Sequence, residues 1–239
     1  MTELTSISTA KASPDLTEIS SQLESVSEKK QLQLIPTIVE KGDAGEEVLM
    51  EFLLKHRSDS PTIIDGKICQ ILSSSNSAKT REFLQSNFPQ GLVALESEKS
   101  IDYSRLQDLL AKENFLEADK LTVEKLCELA GESAMKRKWL YFSEADGLPV
   151  RDLQTINNLW LVYSEGKFGY SVQREIWLSV GKTWDKLWPK IGWKKGNTWT
   201  RYPKEFTWDL TAPRGHLPLS NQLRGVRVIN SLLSHPAWS

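Results

Sequence analysis

The sequence is poor in the residues from which most metal and catalytic sites are built, with three histidines and two cysteines in 239 residues. His56, His216 and His235 are too scattered to form a protein metal site. Cys69 and Cys127 sit far apart in expected helices, which excludes a disulfide framework and reads as two reduced thiols. No CxxC, Ser/His/Asp signature or Gly-rich dinucleotide turn is present. Gly181-Lys182-Thr183 mimics the end of a phosphate loop, but the glycine required five residues earlier is Ile176. No apolar run approaches the ~20 residues of a membrane span. Nothing in this inventory reads as an enzyme. The opening Ser/Thr-rich stretch contains Glu3, no Arg and no apolar run, so residues 1–14 are expected to be a flexible tail rather than a transit peptide.

Tryptophan is also missing from the first 138 residues, and all nine lie between Trp139 and Trp238. Charge follows the same division. Residues 182–239 hold ten Lys/Arg against three Asp/Glu in a chain of net charge −1, so the part before them is acidic. Such asymmetry points to an anionic ligand for the C-terminal part. Large flat rings among cations suit a flat, aromatic, anionic molecule, although the same rings can simply build a core.

Periodicity predicts an all-α chain. Leu16/Ile19/Leu23/Val26, Leu32/Ile35/Ile38/Val39 and Val48/Leu49/Phe52/Leu53 fall at helical spacing. Ser60-Pro61 reads as the start of a fourth helix carrying Ile64, Ile68, Ile71 and Leu72, and a fifth follows Ser77. Residues 15–94 are therefore expected to form a helical bundle or repeat module, and 95–239 a second domain. That second part begins with a linker or extended pass over Gly91–Ser100, then a helical hairpin over Leu106/Leu109/Leu110 and Ala118/Leu121/Leu126/Leu129. Further helices carry Leu153/Ile156/Leu159/Trp160/Tyr163, then Val172/Ile176/Val180, then Trp184/Leu187/Trp188, the last stopped by Pro189. Gly192 to Leu217 shows no sustained period, and a loop of that length usually marks function. Pro218 is expected to open a final helix through Leu219, Leu223, Val226, Ile229 and Leu233.

On that helix Asn221, Arg224 and Arg227 would step by three into one stripe able to hold carboxylates through charge-assisted bonds. Trp160, Trp177, Trp184 and Trp188 fit core positions, whereas Trp199 and Tyr202, off any period and beside Pro203, fit an exposed platform. Two ligands suit a platform with cations at its edge: single-stranded nucleic acid, whose bases stack, and a tetrapyrrole with two propionates. The residues leave both open.

The sequence resembles the tetrapyrrole-binding regulators of chlorophyll synthesis named for the fourth "genomes uncoupled" locus. The segments that carry the resemblance are "IDY" with "LQDLLAKENFLEADKLTVEKLCELAG", then "KWLYF", "INNLWLVYSEGKFGYSVQREIW", "LWPKIGWKKGNTWTRYPKEFTWDLTAPRGHLPL" and "NQLRGVRV", in order over roughly residues 100–236. The N-terminal helical module is similar to that of cyanobacterial members. The resemblance implies an all-α core shaped like a cupped hand, binding protoporphyrin IX or Mg-protoporphyrin IX as ligands, with no cofactor required. It implies a porphyrin-binding set of Phe142, Trp199, Tyr202, Phe206, Asn221, Arg224 and Arg227, with Asn221 a candidate contact to porphyrin-bound magnesium. Many relatives are expected to carry Trp where this chain has Tyr202. The implied role is a non-enzymatic activator of magnesium chelatase that partners the large, porphyrin-binding subunit. It would be a cyanobacterial, cytoplasmic monomer, partly thylakoid-associated as a peripheral membrane protein, with no nucleic-acid partner.

Overall fold

The apolar periodicities of the first third become α1 (Pro14–Ser25), α2 (Glu28–Val39), α3 (Asp43–Lys55), α4 (Ile63–Ser74) and α5 (Ala78–Asn87) in a computed structural model that describes residues 14–57, 60–220 and 225–239. Leu23, Ile35, Ile38, Leu49, Leu53 and Ile68 are buried together as one apolar cluster. Helix α4 begins two residues later than Ser60-Pro61 suggests. Thr62 is its N-cap, its hydroxyl accepting from the Ile64 and Asp65 amides while the Asp65 carboxylate accepts from the Thr62 amide. This reciprocal box satisfies amides that Pro61 cannot engage, and caps of this kind contribute about 0.5–2 kcal/mol. Ser77 caps α5 as its sequence suggests.

Helix α4 also joins the two halves. The Gln70 amide donates to the carbonyls of Leu110 (3.2 Å) and Tyr163 (2.9 Å), satisfying the open C-terminal ends of two helices of the second half. Those two are α6 (Ser104–Ala111) and the longer α10 (Val150–Val162). The intervening pass over residues 91–100 is tied down rather than loose. Buried Asp152 accepts from the Ser97 hydroxyl, the Glu98 amide and the Tyr103 hydroxyl, and Thr155 donates to the Glu96 carbonyl.

The second half packs α6, α7 (Phe115–Ala130) and α10 with α11 (Tyr170–Ser179), α12 (Trp184–Lys190) and α13 (Arg227–Ser234) around a core that includes Tyr103, Phe115, Trp160, Phe168 and Tyr170. The Trp160 indole N–H donates to Thr122 at 3.0 Å, fixing α10 against α7. Two short helices lacked enough turns to show a period: α8 (Glu132–Arg137) and α9 (Phe142–Asp146). Helix α12 runs one residue past Pro189. The aperiodic segment contains a hairpin of β1 (Lys194–Lys195) and β2 (Thr198–Trp199), paired antiparallel with Lys194 opposite Trp199. Gly196 turns it at a φ of 58°, where a side chain would be strained. Those two strands are the whole sheet content among the described residues, and the fold is all-α.

The helix expected from Pro218 does not form. The final helix begins at Arg227, after Gly225 at a φ of 82°. The backbone groups of 217–219 are committed elsewhere. The Leu217 carbonyl accepts from Gly169, the Pro218 carbonyl from the Gln173 amide, and the Leu219 amide donates to Asp119. Asn221 and Arg224 lie outside the described residues, as does the expected tail up to residue 13. Of the three residues of the expected stripe, Arg227 is the one described, at the start of the last helix.

Candidate functional site: an apolar cavity beside α7

Helix α7 is rich in Leu, Glu, Lys and Ala, and Gly131 at a φ of 102° ends it. Leu126 and Leu129 enter the core, while Leu121 and Val123 remain partly exposed. These last two face a cavity of about 840 Å³ whose lining is mainly apolar. That volume lies within the roughly 300–1,000 Å³ of small-molecule sites. Trp199 and Tyr202 line the same cavity, 37% and 45% exposed, as do Leu219 and Met135.

The hairpin aims Trp199. Trp193, fully buried, donates its indole N–H to the His216 carbonyl at 2.8 Å. Thr200 returns to the Gly192 carbonyl through its hydroxyl and to the Trp193 carbonyl through its amide. His216 holds the segment from the inside. Its Nδ1 donates to the Ile191 carbonyl at 2.6 Å and its Nε2 accepts from the Thr207 amide at 3.2 Å, one neutral tautomer serving both bonds. Burial lowers its pKa and favours that neutral form. Behind the platform, Trp177, Trp184, Trp188 and Trp193 stack in sequence. Their ring centroids are 4.9, 5.2 and 5.6 Å apart with interplanar angles of 25°, 19° and 6°. Trp199 meets Trp188 at 5.6 Å and 57°.

The polar groups of the lining fall into three kinds. Burial raises Asp119 to about 7, against the pull of the Leu219 amide and the Lys120 charge. Burial also raises the Cys127 thiol to about 11 and the Tyr202 hydroxyl to about 12, so both are neutral at ordinary pH. Of the cations, Lys120 pairs with Glu117 at 2.6 Å and Lys125 with Glu128 at 2.8 Å. Lys138 and Arg201 also line the cavity and form no ion pair with any described residue. No cluster of three or more His, Cys, Asp or Glu able to hold a metal ion occurs among the described residues.

The structure thus brings two of the sequence-derived candidates, Trp199 and Tyr202, into the cavity. Phe206 is buried behind them, 6.3 Å from Tyr202 and 5.0 Å from His216 by ring centroid. Phe142 and Arg227 lie off the cavity lining and pair with each other, the guanidinium 5.4 Å from the ring centre. Sequence reasoning missed the α7 face, with Asp119, Val123 and Cys127, and the cations Lys138 and Arg201. One signal was available: Val123 and Cys127 lie off the inward Leu126/Leu129 stripe, giving α7 a second apolar side.

Comparison with known proteins identifies relatives of the whole chain. The GUN4-like family model matches residues 96–236, and a model described as the ARM-like repeat domain of the GUN4 N-terminus matches residues 7–89. The chain is 51% identical to a Ycf53-like protein of Synechocystis sp. over 95% of this chain and 98% of that one. It is 42% identical to the chloroplastic tetrapyrrole-binding protein of Arabidopsis thaliana over 56% of this chain and 54% of that one. Among solved structures it is similar to GUN4 from Chlamydomonas reinhardtii, with a TM-score of 0.58 and 45% identity, covering 62% of this chain and 96% of that one.

Proposed function

The chain belongs to the GUN4-like family, and from that premise we propose that its cavity binds a tetrapyrrole and that the protein regulates magnesium chelatase in chlorophyll synthesis. The observation that carries the reading is the cavity itself: about 840 Å³, mainly apolar, with Trp199 and Tyr202 on its lining beside two cations that form no ion pair among the described residues. A porphyrin presents a large apolar disc and two propionates, which is what this lining complements. Trp199 and Tyr202 stack on the ring, and Lys138 and Arg201 receive the carboxylates through charge-assisted bonds. Arg224 and Asn221 are expected to add to this set. Asp119, Glu124 and Glu128 share the lining and would repel a nucleic-acid backbone, so the single-strand alternative is set aside.

The ligands are protoporphyrin IX and Mg-protoporphyrin IX, and the partner is the large porphyrin-binding subunit of the chelatase. The protein itself is an activator and not an enzyme, since an open cavity suits reversible hand-over of substrate or product. It acts as a cytoplasmic monomer associated peripherally with thylakoid membranes. Titration of the full chain with protoporphyrin IX is expected to quench tryptophan emission and shift the Soret band. A chelatase reconstituted from its subunits should gain rate on its addition. Absence of spectral change at saturating porphyrin defeats the binding reading, and unchanged chelatase rate with binding intact defeats the activator reading.

A further inference from the structure

Asp119 is 1% exposed and lies on the lining of an otherwise mainly apolar cavity. Its Oδ1 accepts from the Leu219 amide at 2.6 Å, and its Oδ2 has no hydrogen bond among the described residues. Among the described residues no cation forms an ion pair with it, although the Lys120 charge pulls its pKa down against burial. Lys120, its sequence neighbour, is turned to Glu117. Among the described residues, the titratable groups near it on other elements are Tyr170 of α11 and Tyr202 of the platform, and neither is positive. The Tyr170 hydroxyl is itself buried without a hydrogen-bond partner among the described residues.

A carboxylate held in this way costs stability, and the bond to Leu219 does not account for it, because an amide oxygen would accept that N–H equally well. A perturbed acid on a ligand cavity is better explained by what the ligand brings. A metal-free porphyrin brings little, because its pyrrole N–H groups point into the centre of its own ring. A magnesium tetrapyrrole brings a hard dication that prefers oxygen donors. Its ring nitrogens fill only the in-plane positions, so a donor at the face of the ring can still reach it.

We infer that Asp119 is the residue by which the cavity distinguishes metallated from metal-free tetrapyrrole, its carboxylate giving an oxygen to the ring-bound magnesium directly or through one water. This rests on the tetrapyrrole reading above and adds a specificity that the aromatic platform lacks, since Trp199 and Tyr202 stack equally on either ring. The raised pKa fits: Asp119 stays partly protonated against the metal-free ring and ionises against the metal, so that binding of the magnesium form at pH 7 releases part of a proton.

The test compares full-length wild type with Asp119→Asn, which retains an acceptor for the Leu219 amide. Both are titrated with Mg-protoporphyrin IX and with metal-free protoporphyrin IX, and thermal melts confirm that the variant is folded. The expected result is a loss of about tenfold in affinity for the magnesium form, equivalent to ~1.4 kcal/mol, with metal-free affinity held within about twofold. Calorimetry in buffers of different ionisation enthalpy should show proton release with the magnesium form in wild type and none in the variant. Equal loss for both rings would assign Asp119 to anchoring Leu219 and overturn the inference, as would no change for either. If wild type binds neither ring, the tetrapyrrole reading falls first and the inference with it.

Discussion

A single buried acid makes the residue scale measurable. Asp119 is raised from its ordinary 3.8 to about 7 by burial. The folded state therefore holds a proton that the unfolded chain releases between those two values. The sign follows: stability drops as pH rises from about 4 towards 7, because the unfolded state binds fewer protons. Asp119→Asn should remove this loss. Its melting temperature is expected to exceed that of wild type at pH 8, with the gap closing as the pH is lowered to 5, as read by thermal unfolding. The ligand contacts sit at the same scale. Aromatic contacts contribute about 0.5–1.5 kcal/mol beyond area burial. Tyr202→Ala is therefore expected to weaken porphyrin at least severalfold, and Tyr202→Trp to restore or exceed the wild-type affinity, both measured by Soret titration.

Between elements, close approach decides. At Gly66 of α4 an added Cβ would stand 2.0 Å from the Val162 carbonyl oxygen at the end of α10. Rigid backbone on both sides leaves no flexible atom to give way, and overpacking of this kind costs about 1–3 kcal/mol, occasionally more. Gly66→Ala should lower the urea midpoint accordingly, while Gly42→Ala, which meets no atom within 4 Å, tests backbone strain alone. The helices were legible because their apolar residues recur with the period that buries them, as Leu23, Ile38, Leu53 and Leu159 show. The stretch from Gly192 to Ser220 was not. Its shape is set by bonds between residues far apart in the chain: Gln173 to Pro218, Trp193 to His216, Asp119 to Leu219. None of these leaves a local period. The same cause misplaced the last helix, since Pro218 reads as an N1 residue until Gln173 is seen to hold its carbonyl. Trp199 and Tyr202 emerged through their lack of period; Lys138 and Arg201 had no pattern to mark them.

For the molecule as a whole, the apolar clusters of the two halves meet through α4. Gln70 closes two helix ends across the boundary, and Cys69, on the same helix, belongs to the core of the second half. This argues for one cooperative unit rather than two beads on a string. The placement of tryptophan makes the prediction simple to check. Every indole lies in the second half, so its fluorescence follows that half alone, whereas far-ultraviolet circular dichroism follows both. The two denaturation curves should coincide within error. Separated midpoints would show independent halves, and Gln70→Ala is expected to pull the curves apart or lower both.

The row of indoles behind the platform has an optical consequence. Four parallel rings at centroid spacings of 4.9 to 5.6 Å are close enough for excitation to pass from one to the next before it is emitted. Trp199 is the rung at which this antenna reaches the cavity. An absorber of near-ultraviolet light seated against Trp199 would drain the entire stack, although it touches only the ring that branches from Trp188. The protein thus carries its own occupancy gauge, and one ligand should darken five tryptophans at once.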